Sequence, residues 1–305
     1  MKCLALVVLL TALATPVLAQ TITVVPAPPS ADPPPSVTDA AQRAAVKPIH
    51  ARKIILIGDS TTQVGSGWGG SFCANHVTSA LSCLDLARGG RGTFDYRAEG
   101  SWDLALAEMK TPGYDAVYVL IQFGHNDQPG KPGRSTDLYR EFPDNLRHYV
   151  SDVRATGAIP VLVTPLTRRS FKDGSLQDDL EPWAEAVRTV AKEMNVPLVD
   201  LHRVSADAVQ AMGPRAAIAL AETAPPDDVL AAADSGTTIS APKTTPPTPV
   251  DAPDAPQGHP TVVFDYTHLG AKGADVFSAM VAAELARAVP ELRPYLVSQL
   301  YPPHP

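Results

Sequence analysis

Apolar residues fall along this chain in two alternating patterns. Short continuous runs lie at 52–58, 82–87 (SCLDLA), 114–122 (YDAVYVLIQ), 159–164 (IPVLVT) and 197–201 (PLVDL). Their length and β-branched content are those of strands buried on both faces. Between them, apolar positions recur every three or four residues, most clearly over 140–156 and 178–195, with a last such stretch over about 270–289. That spacing predicts helices with one buried side. The alternation predicts an α/β fold built on a doubly wound, parallel, five-stranded sheet with helices on both faces.

Three segments stand outside the pattern. The first twenty residues, MKCLALVVLLTALATPVLAQ, join a basic start to an apolar stretch and a small-residue ending, which reads as an export leader of residues 1–19 cut after Ala19. Thr11, Thr15 and Pro16 interrupt it too early for a membrane span. Residues 20–50 form a proline-rich linker, with six prolines between Pro26 and Pro35. A second such tract has seven prolines between Pro242 and Pro260. It is read as part of an insertion at about 224–260 within a single domain of 51–305, expected to form a loop beside the site.

Export changes the meaning of the cysteines. Cys3 leaves with the leader, so Cys73 and Cys83 remain as a pair in a compartment that favours oxidation, and a disulfide is expected. The formal charge of −7 becomes one unit more negative without Lys2, which disfavours a nucleic-acid partner. No membrane association is expected of the exported chain.

Candidate chemistry gathers where the strands end. In open α/β sheets the carboxyl edge holds the ligand. Here the first strand ends in Gly58-Asp59-Ser60, the second runs into Arg88-Gly89-Gly90-Arg91-Gly92, and the third into Gly124-His125-Asn126-Asp127. Each also has a plain reading as a cap or turn. A fourth element, Asp265-Tyr266-Thr267-His268, precedes the last helix. An ester-cleaving serine needs a base and an acid to orient that base, and Asp265 with His268 can supply both. His125 is the rival base. His76 and His148 read as ordinary helix residues and His202 as a structural residue at a strand end.

These four blocks in this order resemble the SGNH or GDSL hydrolases. GDSTTQ, GWG at 67–69, GGRG, FGHND, EFPDNLR, VTPLTRR and DYTHLGAKGA are similar to the rhamnogalacturonan acetylesterase branch over about residues 52–290. The resemblance implies a flavodoxin-like three-layer αβα fold and a serine esterase with no metal or cofactor. Ser60 would be the nucleophile, His268 the base and Asp265 its partner. The Ser60 and Gly90 amides and the Asn126 side chain would form the oxyanion hole. The implied substrate is an O-acetylated, pectin-like plant polysaccharide, with acetylated xylan as the alternative, and Arg91, Arg168 and Arg169 are candidates to pair with its uronate carboxylates, each with a structural ion pair as the alternative and at least one expected to be structural. Three departures from the branch stand out: Gly92 in place of a serine, Asp85 in place of an asparagine, and the insertion before His268.

Two other classes compete. Gly65-Ser66-Gly67-Trp68-Gly69-Gly70 satisfies a dinucleotide-binding fingerprint and Asp85 ends the second strand, but the fingerprint's first glycine does not directly follow the strand. A catalytically silent carbohydrate-binding protein on the same fold is the other. The chain contains no GxSxG and no P-loop, which disfavours an ordinary nucleophile elbow and a nucleotide phosphate cradle.

Overall fold

The computed structural model describes residues 49–241 and 263–297. The expected leader, the linker up to residue 48 and residues 242–260 of the expected insertion lie outside the described residues. Five strands form one parallel sheet: β1 (Arg52–Gly58), β2 (Leu81–Asp85), β3 (Ala116–Gln122), β4 (Ile159–Val163) and β7 (Leu198–Val199). A separate antiparallel hairpin joins β5 (Phe171–Lys172) to β6 (Ser175–Leu176). The strand order is β2-β1-β3-β4-β7. The strand order reverses at β1, with β2 laid on one side of it and β3 on the other, and in doubly wound folds the crevice at that point holds the ligand.

The central strand shows why the continuous apolar run was informative. Ile54, Ile55, Leu56 and Ile57 are all completely buried, and alternation sends them to opposite faces. Ile54 and Leu56 pack with Trp68, Phe72, Phe277, Val281 and Leu285. Those residues come from the loop before α1 (Gly69–Asn75), from α1 itself and from α8 (Ala271–Ala288), and α6 (Leu201–Ile218) adds Leu201 and Val209. Ile55 and Ile57 pack with Trp102, Tyr149, Val150, Trp183 and Val187, carried by α3 (Ser101–Met109), α4 (Glu141–Ala155) and α5 (Glu181–Glu193). The short α2 (Asp95–Ala98) adds Tyr96 to this face. Two apolar layers on one sheet give the three-layer architecture expected, and each buried aliphatic side chain contributes about 1.5–3 kcal/mol to holding them together.

The expected strands and helices fall within a few residues of the observed ones. Several helices were not singled out by the pattern, and two of them show why. Residues 201–218 form α6, broken at Gly213 by a non-helical φ of 73° before Pro214, so the 3.6-residue period is interrupted midway. His202 therefore lies in the first turn of a helix and not at a strand end, with Asp200 capping that turn by accepting from the Arg203 N–H. Within the stretch expected to be an insertion, Asp227–Asp234 forms α7. Its Val229 and Ala233 are buried against Ile218, Phe264 and Tyr266. The start of that stretch thus packs on the segment that carries Asp265.

Cys73 on α1 and Cys83 on β2 are joined in a disulfide, with Cα atoms 5.5 Å apart. It ties an edge strand to the helix above it and closes a loop of ten residues, a constraint worth about 2–3 kcal/mol on the chain-entropy account.

Candidate active site

In-register pairing places Gly58 opposite Gln122, so the loops leaving β1 and β3 start side by side. A buried polar chain fixes them. Trp68 Nε1 donates to Gln122 Oε1 at 2.9 Å, Gln122 Nε2 donates to Thr61 Oγ1 at 2.6 Å, and Thr61 donates its hydroxyl and N–H to Asp59 Oδ1, each at 2.8 Å. Gly58 is required here by close approach, because a Cβ would lie 2.6 Å from Thr62 Oγ1 and 2.7 Å from the Gln122 carbonyl. Between these supports the Ser60 side chain meets a segment far away in sequence.

That segment is 265–268. Asp265 Oδ1 accepts the N–H groups of Thr267 and His268 at 2.7 and 2.8 Å, while Oδ2 lies 2.6 Å from His268 Nδ1. His268 Nε2 lies 2.8 Å from Ser60 Oγ. The carboxylate can only accept, so Nδ1 carries the proton and Nε2 presents its lone pair to the hydroxyl. Burial alone would raise the Asp265 carboxyl, but the bond and charge of His268 and the two amides hold it down at about 2. Burial pulls His268 downward, yet Asp265 outweighs it and leaves the imidazole above its ordinary value. A hydroxyl, an imidazole and a carboxylate in this line make an oxygen nucleophile whose proton has a place to go.

The other expected residues divide. Gly90 adopts a left-handed φ of 79°, and among the described residues neither its N–H nor that of Ser60 has an acceptor. Asn126 Nδ2 donates to the Arg91 carbonyl at 3.0 Å, which keeps the amide beside the Gly90 loop. Arg91 bonds Glu99 and the Gly89 carbonyl, and Arg168 bonds Thr267 Oγ1 and Asp179. Arg169 is the one that takes the structural role, which corrects its place among the substrate-binding candidates. It is completely buried, with its guanidinium donating to the carbonyls of Thr267 at 3.2 Å and His268 at 2.7 Å and its N–H to the Tyr266 carbonyl at 2.9 Å. A polysaccharide carboxylate has no access to it; it holds the segment that presents His268.

His125, the rival base, is sealed in. Its Nδ1 lies 3.7 Å from Asp59 Oδ2, and neither ring nitrogen has a hydrogen-bond partner among the described residues. Burial pushes its pKa down against the pull of Asp59. The Gly92 departure also has a visible consequence. Asp127 Oδ1 accepts from Thr93 and Thr136, but Oδ2 is buried without a partner among the described residues, beside Gly92, where a Cβ would stand 3.1 Å away. Burial raises Asp127 to about 6. Residues with no signal in sequence also support the site: Gln122 inside a strand, and Lys131 and Arg134 in a glycine- and proline-rich loop, where Arg134 donates to the Gly90 carbonyl at 3.0 Å.

Among the described residues, ligand-type atoms within 4.8 Å of one another occur at Asp178, Glu181 and His202. These groups already satisfy one another. His202 Nε2 lies 2.8 Å from Asp178 and 3.2 Å from Glu181, and Arg188 pairs with Glu181 at 2.7 Å.

Residues 56–276 match the GDSL-like Lipase/Acylhydrolase family. The chain is 31% identical over 261 residues to Rhamnogalacturonan acetylesterase RhgT of Bacillus subtilis, a match covering 83% of this chain and 96% of that relative. Among solved structures, protein YXIM_BACsu of Bacillus subtilis superposes with a TM-score of 0.56 at 21% identity, over 79% of this chain and 58% of that one, a likeness of fold. With the family match running from the end of β1 through the Ser60 turn and the other four strands of the sheet to the 265–268 segment, the chain belongs to the GDSL-like lipase/acylhydrolase family and is a carboxylic ester hydrolase.

Proposed function

We propose that this esterase is exported and removes O-acetyl groups from a rhamnogalacturonan-like plant polysaccharide through an acyl-enzyme. The observation that carries the chemistry is the unbroken line from Asp265 through His268 to Ser60 Oγ, with contacts of 2.6 and 2.8 Å. The acetyl-carbohydrate substrate is supported by the 31% identity to RhgT across nearly all of that relative. Export is supported by the leader-like first nineteen residues and by the closed Cys73–Cys83 bond.

In this reading Ser60 Oγ attacks the acetyl carbonyl carbon as its proton passes to His268 Nε2, and the carbonyl oxygen becomes an oxyanion. The N–H groups of Ser60 and Gly90 and the Asn126 amide receive that charge. The imidazolium, balanced by Asp265, returns the proton to the departing sugar oxygen as the C–O bond breaks, leaving an acetyl ester on Ser60. Water then attacks with His268 again as base, which releases acetate and restores the hydroxyl.

The test measures acetate release from acetylated rhamnogalacturonan, acetylated xylan and p-nitrophenyl acetate by the wild type and Ser60→Ala. Loss of all activity in the variant, at unchanged melting temperature, together with preference for rhamnogalacturonan, supports the reading. More than about a hundredth of wild-type turnover in Ser60→Ala removes Ser60 from the nucleophile role. Preference for xylan moves the substrate and leaves the mechanism standing.

A further inference from the structure

We propose that Arg91 and Lys131 are positioning residues that act on the oxyanion donors from behind, each holding the oxygen end of an amide whose N–H end faces the reacting ester. The proposal rests on the reading of Gly90 and Asn126 as those donors and extends it to groups that never touch substrate.

The argument begins with the covalent unit. A backbone N–H belongs to the same planar amide as the carbonyl of the preceding residue, and resonance couples the two ends. The Gly90 N–H is therefore one amide with the Gly89 carbonyl. Arg91 Nη1 donates to that carbonyl at 2.8 Å, and Arg91 Nε is held by Glu99 Oε2 at 2.9 Å. A cation on the oxygen draws electron density from nitrogen and makes the N–H a stronger donor, an effect enlarged where water is scarce.

Asn126 repeats the arrangement in a side chain. Lys131 Nζ lies 3.4 Å from Asn126 Oδ1 and also bonds the His125 carbonyl, while Asn126 Nδ2 donates to the Arg91 carbonyl at 3.0 Å. These contacts decide which end of the amide is oxygen and leave one N–H free. The third donor fits the same scheme with neutral groups. The Ser60 N–H shares its amide with the Asp59 carbonyl, which accepts from the N–H groups of Thr62 at 3.1 Å and Gln63 at 3.0 Å. All three amides thus have their oxygen ends capped by donors, two of them full cations.

Lys131 is suited to this work. It makes no ion pair with a carboxylate among the described residues, and the more distant Asp59 and Asp127 offset only part of its field. Burial and the neighbouring Arg168 draw its pKa below the ordinary lysine value, the strain expected of an ammonium held among carbonyls and other cations. Arg91 is spoken for on both its bonded sides, which leaves it poorly placed to receive a substrate carboxylate.

A double-mutant cycle on p-nitrophenyl acetate, an ester with no carboxylate to bind, tests the proposal. Lys131→Met should lower kcat about tenfold with little change in KM, less than loss of the donor itself, and Lys131→Arg should keep most of the activity. In an Asn126→Ala background the same Lys131→Met change should cost less than about twofold, since the amide it acts on is gone. Arg91→Met should likewise reduce kcat on this neutral ester.

Melting temperatures on the same preparations separate misfolding from these effects. Equal losses from Lys131→Met in both backgrounds, an equal loss in Lys131→Arg, or unchanged kcat in Lys131→Met would overturn the role of Lys131. Unchanged kcat in Arg91→Met, with KM raised only on uronate polymer, would return Arg91 to substrate binding. Full kcat in Asn126→Ala alone would overturn the oxyanion reading itself, a distinct outcome.

Discussion

His268 and His202 each lie at the mouth of a helix with one ring nitrogen on a carboxylate, at 2.6 Å from Asp265 and 2.8 Å from Asp178. They differ at the other nitrogen. His268 Nε2 faces the Ser60 hydroxyl at 2.8 Å, a donor, whereas His202 Nδ1 faces the Pro165 carbonyl at 3.0 Å, an acceptor. Both nitrogens of His202 are asked for a proton and neither is offered one. An imidazole–carboxylate pair is therefore no signature of a base by itself; the donor on the far nitrogen makes it one.

The largest effects should separate the two histidines. His268→Ala is expected to lower kcat on p-nitrophenyl acetate by about 10⁴-fold or more with little change in melting temperature. His202→Ala should do the reverse, leaving kcat within about threefold while removing about 2–3 kcal/mol of stability through lost buried hydrogen bonds and packing. A catalytic defect from His202→Ala in folded protein would break the comparison.

Asp265→Asn sharpens it, with an expected loss of about 10²- to 10⁴-fold in kcat. Because Asp265 raises His268 above 6.5, activity in the wild type should fall as pH drops through a value higher than that of a free histidine. Removing the negative charge lowers the pKa, so the remaining acid limb should move to lower pH. A limb that stays in place would mean that another group sets it.

Arg169→Met probes the support of the active pair. The buried guanidinium holds the carbonyls of Thr267 and His268, and its loss leaves the Thr267 carbonyl without a partner among the described residues and the His268 carbonyl with the Glu222 N–H. About 3 kcal/mol of destabilisation is expected, with a lower kcat in the fraction that folds.

The smallest effect contrasts two carboxylates. Asp265 has three donors, whereas among the described residues Asp85 accepts only the Ala87 N–H and leaves Oδ2 buried without a partner. Burial accordingly raises Asp85 to about 7 from 3.8. A raised acid is protonated in the folded state where the unfolded chain is ionised, so it destabilises increasingly as pH rises from about 4 to about 7 and uniformly above. Asp85→Asn should therefore stabilise by on the order of 1 kcal/mol at pH 8 and not at pH 4. A stabilisation independent of pH would assign the gain to packing.

How much of this was legible in the chain follows from where each signal resides. The sheet was legible because parallel strands covered on both sides must be apolar at every position, as Ile54 to Ile57 are, and that leaves an unbroken run. The helix 201–218 was hidden because Gly213 and Pro214 interrupt its period, and 227–234 because an alanine-rich turn among prolines resembles a linker. Ser60, Asp265 and His268 were legible as a set because each stands beside a strand or helix end, where the parallel sheet gathers polar groups.

Local sequence therefore determined the elements, their order and the residue types at the sheet's carboxyl edge, since periodicity and turn chemistry act between near neighbours. Only the tertiary structure decided which side chains are dry and which backbone atoms they face. Arg91, Lys131 and Arg169 are alike as cations in a sequence, yet the fold buries Arg169 completely and sets Arg91 and Lys131 on the oxygen ends of amides. Charge depends on composition, but its use depends on burial and partner, and the partners of Arg169 lie 98 and 99 residues away along the chain.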